Sequence, residues 1–140
     1  MEREIKLGDQ AVVYDRELTA AAYEKIAEGG ATCCGCDACR NFAAQRDRIY
    51  PDQVLQVFHQ LGIDPKKEGE AYEIGPDPAG FRSYGGWFYF VGRLVAPGER
   101  LVELENFTYF VGTSFPKPLD AFANHAVLAL EFSAKLSWVL

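Results

Sequence analysis

Apolar and polar residues alternate most clearly between residues 127 and 140 of the chain. A period of two predicts a strand with one buried face, and that face carries Leu128, Leu130, Phe132, Ala134, Leu136 and Trp138. Residues 81–95 and 101–112 are rich in aromatic and β-branched side chains, which favour strands. Residues 2–7 and 11–16 predict two short strands joined by a turn.

Helical patterns occupy the segment that follows the first two short strands. Residues 20–27 are strong helix formers, with Thr19 as the predicted N-cap and Gly29 beyond the end. A second helix is predicted from about Asp37 to Arg48, and a third over residues 51–61. Helices before most of the strands predict an α+β fold. We expect N-terminal helices packed on one face of a mostly antiparallel sheet of about four to six strands.

Composition adds few constraints to this picture. The chain has 140 residues, of which 49% are hydrophobic, and this suits a single domain over residues 1–140 with its own core. The net charge of -6 argues against nucleic-acid binding, because phosphates would be repelled. Neither a secretion signal nor a membrane-spanning stretch is visible, so we expect a cytoplasmic protein without membrane contact.

The unusual chemistry lies in a run of four cysteines in seven residues, namely Cys33, Cys34, Cys36 and Cys39. One hypothesis is a metal site, with Zn²⁺ as the first candidate. Cys33, Cys36 and Cys39 repeat at the Cys-x-x-Cys spacing that brings sulfur atoms to one ion, and Cys34 is an additional neighbour. The set of ligands is incomplete, because the only two histidines, His59 and His125, lie in no ligand pattern.

A second hypothesis is thiol chemistry at Cys36 and Cys39. Cys36 would lie at the N-terminus of the predicted second helix, where the helix dipole favours a thiolate, and Cys39 would be its resolving partner. Arg40 adds positive charge next to the pair.

A third hypothesis is purely structural, because buried cysteines pack as small hydrophobic side chains. The protein would then be a non-enzymatic binding protein that meets a protein or small-molecule partner, or a second copy of itself. No catalytic-serine, phosphate-loop or dinucleotide motif assigns an enzyme class.

Three further residues are candidate binding residues. Arg40 is able to hold an anion or to pair with Glu68 or Glu70, and Asn41 is able to bond backbone groups and fix the cysteine loop. Trp87 lies in an aromatic strand after Gly85 and Gly86, where a glycine pair predicts a bulge or the close approach of another backbone.

Three segments carry a resemblance to a known family. These are residues 34–42 (CGCDACRNF), 61–68 (LGIDPKKE) and 84–88 (YGGWF). Over roughly residues 10–112 the chain resembles a family of small bacterial proteins without an established activity. The resemblance implies a bacterial, cytosolic setting and adds no mechanism.

Overall fold

A computed structural model describes residues 1–116 and 118–140, with the backbone alone for Cys33. The chain starts with a hairpin of β1 (Glu2–Leu7) and β2 (Gln10–Asp15). Five helices follow: α1 (Arg16–Glu24), α2 (Gly30–Cys34), α3 (Asp37–Ala44), α4 (Arg46–Ile49) and α5 (Asp52–Leu61). The remaining strands are β3 (Glu70–Pro76), β4 (Arg82–Ala96), β5 (Val102–Leu104), β6 (Phe107–Gly112) and β7 (Val127–Leu136). A short 3₁₀ turn, Asp120–Phe122, precedes β7.

The described strands form one antiparallel sheet in the order β1-β2-β4-β7-β6-β5, with β3 also paired to β4. The central strand β4 has 15 residues. Its first half pairs with β3, its second half pairs with β2, and its other edge pairs with β7. Side chains of α1 cover β4 where neither β3 nor β2 reaches it: Tyr23 donates to the Tyr89 carbonyl, and Thr19 accepts from the Val91 N–H. The Tyr89 carbonyl and the Val91 N–H, on the edge of β4 between β3 and β2, thereby have hydrogen-bond partners.

Aromatic rings join the helices to the sheet. Phe58 of α5 lies 4.7 Å from Phe88 of β4, measured between ring centroids. Phe42 of α3 lies 5.7 Å from Tyr84 and 6.2 Å from Phe132. All of these rings are buried, so the core lies between α3, α5 and this face of the sheet.

The α+β class is confirmed, but the expected count of four to six strands is wrong, since the described sheet has seven. Two of the strands precede the helices, so the helices are not simply N-terminal. The predicted strand over residues 101–112 is a hairpin, because Asn106 takes a positive φ of 58° and reverses the chain between β5 and β6. The aromatic strand β4 and the alternating strand β7 form where their patterns predict them.

The helical segment also differs from its prediction at the first helix. Asp15, not Thr19, is the N-cap of α1, and its carboxylate accepts from the Leu18 N–H. Gly29 is the N-cap of a separate helix, α2, which the sequence did not predict. At Gly29 a Cβ atom would overlap the Glu68 carboxylate, so any larger residue would require the side chains of Glu68 and Arg46 to shift.

Candidate functional site

The cysteines lie where α2 ends and α3 begins. Cys34 is the final residue of α2, Cys36 is the N-cap of α3, and Cys39 is in the first turn of α3. Gly35 joins the two helices in the left-handed conformation, with φ of 77°, which glycine adopts without strain. Apart from its two chain neighbours, no described atom lies within 4 Å of the place where its Cβ would be.

Three sulfur atoms converge at this turn. The Sγ atoms of Cys34, Cys36 and Cys39 all lie within 4.8 Å of one another. Cys34 Sγ is 3.3 Å from Cys36 Sγ, and the backbone N–H of Cys39 donates to Cys36 Sγ at 3.4 Å. We call this group of three residues the three-thiol centre. Within the described atoms, no other group of three or more cysteine, histidine or acidic side chains is close enough to share a metal ion.

The separations suit one ion. Four sulfur ligands at 2.3 Å around a tetrahedral ion would lie about 3.8 Å apart. The observed separations, one of 3.3 Å and none above 4.8 Å, lie around that value. Small side-chain rotations would therefore bring the three thiolates to bonding distance. Three protein ligands leave a fourth coordination position for a water molecule or another donor.

The surroundings of the thiols differ sharply. Hydrogen bonds lower the pKa of Cys36, chiefly the bond from the Cys39 backbone N–H and then those from the Cys39 and Cys34 thiols. Cys36 and Cys34 are exposed, whereas Cys39 is buried among the core residues. Burial raises the pKa of Cys39, and its bonds to the other two thiols raise it further. The centre thus favours thiolate at Cys36 and thiol at Cys39.

A buried ion pair holds α2 in place. Glu68 is fully buried and binds Arg46 through two hydrogen bonds of 2.9 and 2.7 Å. The same carboxylate accepts from the Ala31 N–H, and the Glu68 carbonyl accepts from the Gly30 N–H. Arg46 also donates to Thr32 Oγ1. The first turn of α2 is therefore fixed by the segment before β3 and by α4.

The opposite side of the centre is fixed through α3. Asn41 is fully buried; its Nδ2 donates to the Ser137 carbonyl and to Tyr84, and its Oδ1 accepts from the Val139 N–H. Tyr84 in turn donates to the Ala38 carbonyl at 2.8 Å. We call these contacts of Asn41 and Tyr84 the tail clamp, because they tie α3 to the segment after β7.

The other predicted site residues lie as follows. Arg40 is exposed and pairs with Asp37 at 3.0 Å, while the predicted partner Glu68 pairs with Arg46 instead. Trp87 is partly buried near Tyr72, and among the described residues its buried Nε1 has no hydrogen-bond partner. Gly86 closely faces the Glu70 carbonyl, which is the close backbone approach that the glycine pair predicts.

The side chain of Cys33 lies outside the described atoms, so the predicted set of Cys33, Cys36 and Cys39 stays a prediction. The described atoms show that Cys34 belongs to the three-thiol centre. The Cys-x-x-Cys spacing had made Cys34 only an additional neighbour of the predicted ligands. Neither His59 nor His125 belongs to the described cluster. The sequence also gave no indication of the Arg46–Glu68 pair.

The chain matches no protein-family model, and neither a curated protein nor a solved structure shows significant similarity to it. Of the helices that the structure describes, none has the length and apolar character needed to cross a membrane. The geometry of the three-thiol centre is therefore the main indication of function.

Proposed function

We propose that this protein binds a thiophilic metal ion, Zn²⁺ in the first place, through Cys34, Cys36 and Cys39. The observation that carries the proposal is the convergence of three sulfur atoms within 4.8 Å. Thiolate sulfur favours zinc and copper(I) over magnesium or calcium, which prefer oxygen ligands. Iron–sulfur clusters take four thiolates, so three described sulfur atoms favour a single ion.

Preorganisation supports the same proposal. The two helices that carry the thiols are held by the Arg46–Glu68 pair and by the tail clamp. A metal site whose ligands are held by outer contacts loses less freedom when the ion binds. We propose, from the resemblance of its three segments to small bacterial proteins, a bacterial cytosolic setting, which adds nothing to the chemistry of the site.

The first experiment measures metal content and affinity. Protein purified without a chelator is expected to contain close to one zinc ion per chain by elemental analysis. Cobalt(II) substitution is expected to give the intense visible bands of a tetrahedral thiolate site. Single serine variants at Cys34, Cys36 and Cys39 are expected to weaken binding by about 100-fold or more, since thiolate-rich sites divide about 10–16 kcal/mol among few ligands.

Cys33→Ser is the matched variant within the same segment. A full loss of affinity in this variant identifies Cys33 as the fourth ligand, whereas unchanged affinity leaves the fourth position to water. His125→Ala is the control that should leave affinity unchanged, and circular dichroism checks that each variant folds. Wild-type protein that binds neither zinc nor copper(I) contradicts the proposal and favours the alternative, a binding protein with structural cysteines.

A further inference from the structure

We infer that Cys34 and Cys36 also form a redox pair, which takes up a disulfide bond by exchange with a small disulfide when no metal is bound. This activity goes beyond metal binding and uses two of the same three thiols. The pair differs from the Cys36–Cys39 pair that the Cys-x-x-Cys spacing predicts. The inference rests on sulfur separation, exposure and the shape of the turn.

The two sulfur atoms are already close. Cys34 Sγ lies 3.3 Å from Cys36 Sγ, with the Cys34 thiol as donor. A disulfide bond is about 2.0 Å long, so the sulfur atoms have to approach by about 1.3 Å. Gly35 lies between them with φ of 77°, and beyond its chain neighbours no described atom crowds its Cβ position, so the described part of the turn leaves room for this approach.

Solvent accessibility distinguishes the Cys34–Cys36 pair from the Cys36–Cys39 pair that the spacing predicts. Cys34 and Cys36 are exposed, and both are reachable by a disulfide dissolved in water. Cys39 is only 7% exposed and packs with the core, so its sulfur is less accessible to a dissolved disulfide than those of Cys34 and Cys36. Cys36 Sγ accepts hydrogen bonds from both Cys34 and the Cys39 N–H, so two donors already face the sulfur that attacks as a thiolate.

The exchange proceeds in two balanced steps. The Cys36 thiolate attacks one sulfur of a small disulfide RSSR, forms a mixed disulfide, and expels RS⁻, which takes a proton from water. Cys34 loses its proton to water and attacks Cys36 Sγ, which forms the Cys34–Cys36 bond and expels the second RS⁻. Two protein thiols are thus oxidised by two electrons, and RSSR is reduced to two RSH.

The experiment uses the full chain in a chelator-containing buffer, with oxidised glutathione as the probe. All four cysteines lie between Lys25 and Arg40 and stay together in one tryptic peptide, so variants are needed to assign the pair. After an acid quench, intact-mass spectrometry separates an internal disulfide, which lowers the mass by two hydrogens, from a glutathione adduct.

Wild type, Cys33→Ser and Cys39→Ser are expected to form the internal disulfide. Cys34→Ser is expected to lose it and to keep one glutathione on Cys36. An internal disulfide in Cys34→Ser, or an adduct that persists in Cys39→Ser, overturns the assignment. Cys39→Ala serves as the second variant if the buried serine prevents folding, with the same expected result.

The outcome is separable from the metal proposal because no metal takes part in this readout. Cys39→Ser is expected to lose zinc affinity and to keep the internal disulfide. A wild-type protein that binds zinc but accumulates a stable glutathione adduct contradicts the redox pair alone. A protein that binds no metal but closes the disulfide contradicts the metal proposal alone.

Discussion

Cys36 and Cys39 are three residues apart, yet their surroundings move their pKa values in opposite directions. The Cys39 backbone N–H donates to Cys36 Sγ and lowers the pKa of Cys36, whereas burial raises the pKa of Cys39. A thiolate is the nucleophile and the metal ligand. The zinc binding proposed above would therefore have to displace a proton from Cys39, and its affinity is expected to fall as the pH is lowered.

The pH dependence of alkylation tests this difference residue by residue. In metal-free protein, the midpoint of the Cys36 rate profile is expected below that of the same residue in urea. The lowered pKa increases the thiolate fraction at each pH below the midpoint. The midpoint for Cys39 is expected above its value in urea. Short iodoacetamide pulses, located by fragment-ion mass spectrometry, measure both profiles.

Cys39→Ala is the control for the cause of the shift. It keeps the backbone N–H that donates to Cys36 Sγ, which is the largest contribution to the lowered pKa. Part of the lowering at Cys36 should therefore survive in this variant. Alkylation of Cys39 ahead of Cys36 in the folded protein would contradict the assignment of the two thiols.

The direction of α2 determines which thiols come together. Neighbouring helical residues point about 100° apart, so the direction of α2 determines whether Cys33 or Cys34 faces α3. That direction depends on the Glu68 carboxylate at the Ala31 N–H, a contact between residues 37 positions apart. The pair of Arg46 and Glu68 is therefore a positioning device for the thiols.

Disruption of the Arg46–Glu68 pair is expected to destabilise the fold. Glu68→Ala removes a fully buried carboxylate that binds Arg46 and the Ala31 N–H, and the loss of this buried pair should lower the free energy of unfolding by about 3–5 kcal/mol. Asp37→Ala is the matched control, since the Asp37–Arg40 pair is 76% and 61% exposed and such pairs contribute about 0–1 kcal/mol. Urea unfolding of metal-free protein measures both. Equal losses in the two variants would refute the argument.

Local signals predicted some elements well. Cys36 and Asp37 start α3 where the N-terminal pattern indicates, α5 ends at Gly62, and β7 follows its alternation. These elements depend on residues within one or two turns. The spacing likewise identified the cysteine run as the place of interest.

Other features had no local signal. β3 escaped prediction because Gly75 and Pro76 end a short strand in a segment typical of a loop. The place of Cys34 in the three-thiol centre depends on Glu68, and the role of Asn41 depends on Ser137 and Val139. Contacts between residues so far apart in sequence leave no periodicity to detect.

The buried side chain of Gln10 joins β2 to β6, two strands that are not neighbours in the sheet. The Gln10 amide donates to the Val111 carbonyl at 2.8 Å and accepts from the Val111 N–H at 2.9 Å. Gln10 starts β2 and Val111 lies in β6, with β4 and β7 between them in the sheet order. The sheet is thus curved. Gln10 provides hydrogen-bond partners for the backbone N–H and carbonyl of Val111, in the part of β6 that does not pair with β5.

Gln10→Ala is expected to lower the free energy of unfolding by about 2–3 kcal/mol, because two buried backbone groups lose their partners. Gln60→Ala removes a single hydrogen bond to Tyr14 at a more exposed position and should cost about 1 kcal/mol or less. Chemical denaturation of both variants gives the comparison. A loss for Gln10→Ala no larger than that for Gln60→Ala would mean that water replaces the amide at Val111.

The tail clamp has a consequence for the order of events during synthesis. Asn41 and Val139 are 98 positions apart, so a ribosome translates the thiols long before it translates their clamp. At about 5–20 residues per second, a nascent chain would present its cysteines for several seconds before the clamp could form. Metal delivered in that interval meets ligands on a helix that is still unanchored on one side. High-affinity metal binding is therefore expected only after β7 has paired with the rest of the sheet.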